Sequence, residues 1–203
     1  MAPRSYQLGK RAASIEETRR RIIDAIVALH AERGVVATTA LDVARRADVA
    51  VGTVLRHFPS LDAMVRACGP VVHQHLRFPT PAIFEGVAAL DARLRRLCEE
   101  MFRAYERGAR WIASAATDVD KVPALAESVA QLNTRRLALI DAALAPFDAS
   151  DELRRLAVAL TAFPVWTAMV AAGFDTPNAA TTTAELLNHA HRAAASGAGK
   201  DAT

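Results

Sequence analysis

The chain is poor in the residues that build several kinds of protein. Aromatic residues make up 5% of its 203 positions. No stretch alternates apolar and polar side chains with the period of two that a half-buried strand requires, so a sheet-built fold is excluded. The two cysteines, Cys68 and Cys98, stand at no paired spacing. That excludes a disulfide framework or a Cys-based zinc site and marks both thiols as reduced and buried. The opening MAPRSYQLGKRAAS lacks the apolar run of a secretory signal, which points to the cytoplasm.

Catalytic signatures are missing as well. There is no nucleophile elbow and no phosphate-cradling glycine loop. His73 and His75, like His189 and His191, are two residues apart, which on a helix turns them to nearly opposite sides. Neither pair makes a metal clamp. Glu99, Glu100 and Glu106 read as a solvated helix face. No enzyme activity, metal or cofactor is expected.

What is present is helical. The chain is rich in alanine and leucine, and glycine and proline are few, a composition that favours helices. The length suffices for one large or two modest domains with a proper core. Charge is placed unevenly. Residues 1–77 carry 12 Lys and Arg against 7 Asp and Glu, and the remainder carries 13 against 15. A basic front end suits a nucleic-acid contact at one end of the molecule, although random scatter could produce a difference this small. Arg4, Lys10 and Arg11 read as a flexible basic arm over 1–13, either a minor-groove probe or an ordinary tail.

The densest signal is residues 39–58, TALDVARRADVAVGTVLRHF. Thr39 with Asp42 three residues on fits a capping box. Leu41, Val43, Ala44 and Ala47 supply an apolar side for a helix of about two turns. Asp48 falls at a turn and tolerates a left-handed backbone. A second short helix then carries Val54 and Phe58 on one inward face. Val51, Gly52, Thr53, Leu55 and Arg56 are left outward. Pro59 stops this helix and Ser60 caps the next. A plain helical hairpin in an all-α core would also give these caps, but it would be polar outside. Two short helices around a tight turn are how a helix-turn-helix offers its second helix to a DNA major groove.

From Thr18 to Met64, through TRRRIIDAIVALHAERG, the Thr-capped short helix, the Gly52-Thr53 pair and RHFPS, the chain resembles the amino-terminal domain of TetR-type transcriptional regulators. The resemblance implies DNA contacts by Thr39 and Ala40 at a helix start, by Val51, Gly52 and Thr53 near the bases, and by Leu55, Arg56 and His57. It implies a helical effector-binding and dimerisation domain, a palindromic operator, a homodimer and, by family habit, repression relieved by a small molecule. Four positions depart from the pattern. Leu55 replaces a DNA-touching Tyr, Leu61 a phosphate-binding Lys, Asp48 the turn Gly and Ala50 the capping Ser. An apolar Leu55 suits a thymine methyl. Loss of the Lys contact would weaken binding to all sequences.

The organisation expected is all-α: a three-helix DNA-binding domain over 14–76, a helical bundle over 77–195 and a disordered tail over 196–203. The first helix spans about 14–33, with Ile22, Ile26 and Leu29 as its inner stripe and Ile23 and Val27 beside them. The fourth runs over about 61–75. Later helices are expected over 86–107, 109–117, 123–144, 151–173 and 178–195, with Pro164 kinking or interrupting its helix. Residues 156–174, LAVALTAFPVWTAMVAAGF, are uncharged and about as long as a bilayer span. Pro164 and the many small residues favour a helix buried on both sides instead. Met101, Phe102, Tyr105, Trp111, Phe163, Trp166 and Met169 could line an apolar pocket for a hydrophobic effector, or simply fill the core. The last two helices would pair with their twins in the dimer. The alternative to a regulator is an all-helical small-molecule-binding protein that has lost operator binding.

Overall fold

The computed structural model describes the backbone of residues 4–198 and the side-chain surroundings of residues 12–194. Every regular element among them is helical: α1 (Arg4–Arg33), α2 (Ala40–Ala47), α3 (Val51–His57), α4 (Leu61–Leu76), α5 (Leu90–Asp118), α6 (Pro123–Leu144), α7 (Asp151–Leu160), α8 (Phe163–Ala171) and α9 (Thr176–Ala198). Short 3-10 turns cover Pro81–Phe84 and Val119–Lys121. The chain forms two compact units. One is Met1–His75 with Ala109–Ala130, the other Leu76–Gly108 with Gln131–Thr203. The single domain expected over 77–195 is therefore divided, because the end of α5 and the start of α6 pack with the amino-terminal unit.

The first unit is built on α1. Ile22 and Ile26 are fully buried, with Leu29, Ile23 and Val27 beside them, as the spacing of the stripe requires. They meet Val43 and Ala44 of α2, Val54 of α3, Phe58, and Met64 and Cys68 of α4. Each large side chain buried this way contributes roughly 1.5–3 kcal/mol. Trp111 of α5 closes the other side. Its indole N–H donates to the Val27 carbonyl at 3.0 Å, and its ring stacks on His75 at 5.4 Å. A small second cluster joins Val35, Val65, Val122 and Leu125, and Leu61 packs against it. Leu61, in place of a lysine, is thus an anchor between the starts of α4 and α6.

In the second unit, Leu94, Leu97, Met101 and Phe102 of α5 are buried with Leu139 and Ile140 of α6 and Leu153 of α7. Arg93 ties the ends together. Its guanidinium donates to the carbonyls of Ala142, Ala143 and Val87 and lies 4.8 Å from the centre of the Phe84 ring. The Ala142 and Ala143 carbonyls belong to the last turn of α6, where no later helical amide reaches them. Arg136 does the same for α7 through the Val158 carbonyl at 2.7 Å.

Two expectations need correction, and a third resolves in favour of an interrupted helix. The first helix begins at Arg4, not Ser14. The run YQLGKRAAS contains no proline, so nothing stops the helix there. The Ser14 carbonyl accepts from the Thr18 hydroxyl within the helix instead of starting it. Residues 4–13 of the expected arm are therefore helical, and residues 1–3 lie outside the described residues, as do 199–203 of the expected tail. Second, 86–107 and 109–117 are not two helices: α5 runs through Gly108 unbroken. A Cβ on Gly108 would stand 2.7 Å from Leu76 Cγ. The glycine serves the close crossing of α4 and α5 and does not end a helix. Beside it Arg107 donates to the Leu76 and Arg77 carbonyls, closing the end of α4. Third, 151–173 is two helices, α7 and α8, bent by 56°. Pro164 lies in the first turn of α8, where its missing N–H costs nothing. Among the described residues no single helix is long and apolar enough to cross a membrane.

Both cysteines are free and buried, and burial pushes each thiol up to about 12. His30 is 3% exposed; Cys68 Sγ lies 3.6 Å from its Nδ1, and Nε2 has no protein partner. Burial lowers its pKa from 6.5 to about 4, partly opposed by the Asp118 carboxylate.

Two predictions follow from this packing. Replacing Gly108 with Ala adds a methyl that Leu76 cannot easily vacate, at roughly 1–3 kcal/mol. The better helix propensity of Ala returns about 1 kcal/mol. The Tm of Gly108→Ala should fall by roughly 2–4 °C for each net kcal/mol lost; a Tm raised by the full gain in helix propensity would show that the crossing is not tight. For His30, the unfolded chain takes up a proton below pH 6.5 that the folded chain refuses until about pH 4. Stability should therefore decline as pH falls through that window, by on the order of 3 kcal/mol at 1.36 kcal/mol per pKa unit. Urea midpoints across pH 4–7 should show a shallower decline for His30→Gln than for the wild type.

Candidate nucleic-acid interface

The approach to the motif is a tight turn. Gly34 ends α1 at φ +95°, a backbone that favours glycine, and its amide returns to the His30 carbonyl at 3.1 Å. Thr38 is buried, and its hydroxyl donates to the Gly34 carbonyl at 2.8 Å. Thr39 then caps α2 with the capping box the sequence suggested. The Asp42 amide donates to Thr39 Oγ1 at 3.1 Å and the Thr39 amide donates to Asp42 Oδ2 at 3.2 Å. The Thr39 hydroxyl also donates to Asp42 Oδ2 at 2.6 Å. These bonds hold the Asp42 carboxyl below the usual carboxylate range, with Arg33 3.2 Å away as a further cause. The hydroxyl proton of Thr39 is thus already committed. Donors at this helix start are the backbone amides of Ala40 and Leu41.

Val43, Ala44 and Ala47 bury the inner side of α2, while Leu41 is 45% exposed instead of packing inward. Asp48 takes the left-handed conformation at φ 52°, doing the work of a turn glycine. Ala50 precedes α3 without any side-chain cap. Val54 and Phe58 are buried, which turns the rest of α3 outward. Gly52, Leu55 and Arg56 are exposed, Thr53 and His57 half-buried. Val51 is half-buried against the core, so only part of it reaches the surface. Arg46 is tied to Glu32 by two bonds of 2.8 Å. Arg56 has no such partner among the described residues, so its charge is available to an incoming anion.

The sequence reading passed over Arg45. It is exposed and lines, with Leu41, Asp48 and Ala50, an open concavity of about 470 Å³ between α2 and α3. The pair Arg45-Arg46 held the signal. On a helix adjacent residues diverge by about 100°, and only Arg46 faces the Glu32 of α1.

The proposed pocket residues do not all come together. Met101 and Phe102 are fully buried, Tyr105 and Trp166 nearly so, and Phe163 and Met169 are half-buried. Tyr105 meets Phe163 edge-on at 5.4 Å, and Phe163 lies 5.6 Å from Trp166. The Tyr105 hydroxyl donates to the Thr161 carbonyl at the α7–α8 bend, and the Thr183 hydroxyl points at Met169 Sδ. Trp166 Nε1 is buried without a protein partner. Trp111 belongs to the first unit, where it binds α1, and is removed from this set.

An α1 with one buried stripe and two short helices across it, the second turned outward around an unpaired arginine, is a helix-turn-helix DNA-binding unit. Residues 22–68 match the family described as bacterial regulatory proteins, tetR family. The chain is 30% identical over 184 residues to the HTH-type transcriptional repressor KstR of Rhodococcus jostii, across 85% of this chain and 80% of that protein. To KstR of Mycobacterium tuberculosis it is 35% identical over 144 residues, 61% of this chain and 60% of that protein's length. The chain belongs to the tetR family of bacterial regulatory proteins. Its fold is shared with the crystal structure of a transcriptional regulator from Rhodococcus sp. Rha1, at a TM-score of 0.67 and 22% identity over 84% of this chain and 96% of that one.

Gly52 offers a test of the interface. A Cβ there would meet nothing within 4 Å, and the backbone does not need a glycine. An exposed helical glycine costs roughly 0.5–1 kcal/mol relative to Ala. Gly52→Ala should therefore raise Tm slightly, yet weaken binding to a selected operator by about tenfold or more, the loss of roughly 1.4 kcal/mol. A variant that is stabilised and binds normally would mean that DNA does not approach this backbone.

Proposed function

We propose that the protein is a transcriptional repressor that binds a palindromic operator as a homodimer and is released by a small hydrophobic effector. The observation that carries the DNA-binding part is the outward face of α3, where exposed Gly52, Leu55 and Arg56 stand on a helix anchored by buried Val54. Arg56 and His57 would reach base edges or backbone, Gly52 and Thr53 would lie nearest the bases with the exposed part of Val51, and Leu55 would read a thymine methyl. Thr39 would position the helix start, and the free Ala40 amide would take the phosphate. Arg45 would add a second phosphate contact, compensating for Leu61.

One recognition helix of seven residues reads only a few base pairs. Two, roughly 34–36 Å apart, meet successive major grooves, which is why a dimer and a palindrome go together. Val170 of α8, Phe174 and Leu186 of α9 are large apolar side chains left exposed in the single chain, as a partner-covered face requires. The effector site is assigned to the aromatic group of Tyr105, Phe163 and Trp166 with Met101, Phe102 and Met169. The buried indole N–H of Trp166 suits an apolar molecule carrying one hydrogen-bond acceptor. The cytoplasm is the compartment in which such a regulator works.

Selection of bound sequences from random duplex DNA tests this reading. The expected result is a palindrome, bound more weakly by Arg56→Ala and with a salt slope smaller by about two, the signature of one lost phosphate contact in each half-site if Arg56 reaches the backbone. If Arg56 instead reads a base, the slope should hold and the selected motif should relax at one position in each half-site. The absence of any enriched site at low salt would leave a helical small-molecule-binding protein as the function.

A further inference from the structure

Asp118, the last residue of α5, lies far outside the stretch in which the sequence concentrates its DNA-binding signals, yet its carboxylate acts on the turn that leads into them. Oδ2 accepts from the amides of Val35 and Val36, both at 3.0 Å. Oδ1 faces Lys121 Nζ at 3.2 Å. The residue is 6% exposed, and the amide bonds, that of Val36 foremost, hold its carboxyl below the usual range. The two amides need this partner. They follow the left-handed Gly34, which has ended α1, so no helical carbonyl stands behind them. Gly34 is also shaped to the carboxylate: a Cβ there would stand 3.2 Å from Asp118 Oδ2.

From these amides the chain is short and tied at each step. The Val35 carbonyl accepts from the Thr38 amide at 3.2 Å, the Thr38 hydroxyl binds Gly34, and Thr39 caps α2. We propose that Asp118 is a positioning residue for DNA binding: by gripping the Val35 and Val36 amides it sets where the amino terminus of α2, and with it the helix-turn-helix, stands against DNA. Asp118 touches no DNA in this role. The inference rests on the DNA-binding reading above.

Sign separates this role from plain electrostatics. Removing an acid near a DNA-binding face should tighten binding through charge alone. Loss of the grip does the opposite. Asn can still accept both amides through its carbonyl oxygen, whereas Ala cannot.

The experiment uses the full-length protein on the palindrome selected by the wild type. Asp118→Ala should bind roughly tenfold or more weakly with an unchanged salt slope, and the Val35 and Val36 amides should exchange at least about tenfold faster with deuterium. Asp118→Asn should keep both the affinity and the slow exchange. Wild-type affinity in Asp118→Ala overturns the proposal, and so does equal weakening in both variants. If Asp118→Ala does not fold, Asp118→Asn decides: normal binding with both amides protected supports the grip, and normal binding with both exchanging freely overturns it. Failure of the wild type to select any DNA would instead remove the functional reading itself.

Discussion

A seven-residue helix cannot hold itself together in water, because nucleation fixes several residues for each hydrogen bond formed. α3 is such a helix, and its start lacks even a side-chain cap. It exists because Val54 and Phe58 are pressed into the core built on Ile22, Ile26 and Leu29 of α1. That packing decides more than stability. With two side chains four residues apart fixed inward, the direction of every other side chain on α3 follows from helix geometry. The exposure of Gly52, Leu55 and Arg56 is the other side of the burial of Val54 and Phe58.

The same economy governs the turn around which the two helices are arranged. Asp48 replaces a glycine in the left-handed region, an uncommon but tolerated position for a short polar side chain. Ala50 gives up a cap. These losses fall where the flanking helices are held by buried Ala44, Ala47 and Val54. The bond from the Val49 amide to the Ala44 carbonyl at 3.0 Å closes the turn through backbone alone.

In the second unit, arginines close helix ends. Arg93 and Arg136 each satisfy carbonyls at a helix end, and Arg107 does so for α4. Hydrogen bonds from a charged donor are stronger than neutral ones, and a partly buried guanidinium serves several acceptors at once. The bend between α7 and α8 is held in the same spirit: the buried Thr161 donates to Ala157 and accepts from Tyr105.

Local chemistry was legible in the sequence wherever one segment decided it. The inner stripe of α1, the capping box of Thr39 and Asp42, the left-handed Asp48, the inward Val54 and Phe58 and the extent of α6 all follow from residues within a few positions of one another. What the sequence could not reveal depends on partners far along the chain. Gly108 looked like a helix break because its neighbour Leu76 is invisible in a linear reading. Trp111 looked like one more pocket aromatic until its indole was placed on Val27. Arg45 and Arg46 are identical as letters, and only the position of Glu32 distinguishes them. Asp118 carried no signal at all, since its two amide partners lie 83 and 82 residues away. Helix periods, caps, turns and inward faces are set by short-range geometry and are therefore written in the sequence; the choice of packing partner, close approach and the satisfaction of orphan amides are long-range, and the tertiary structure alone decided them.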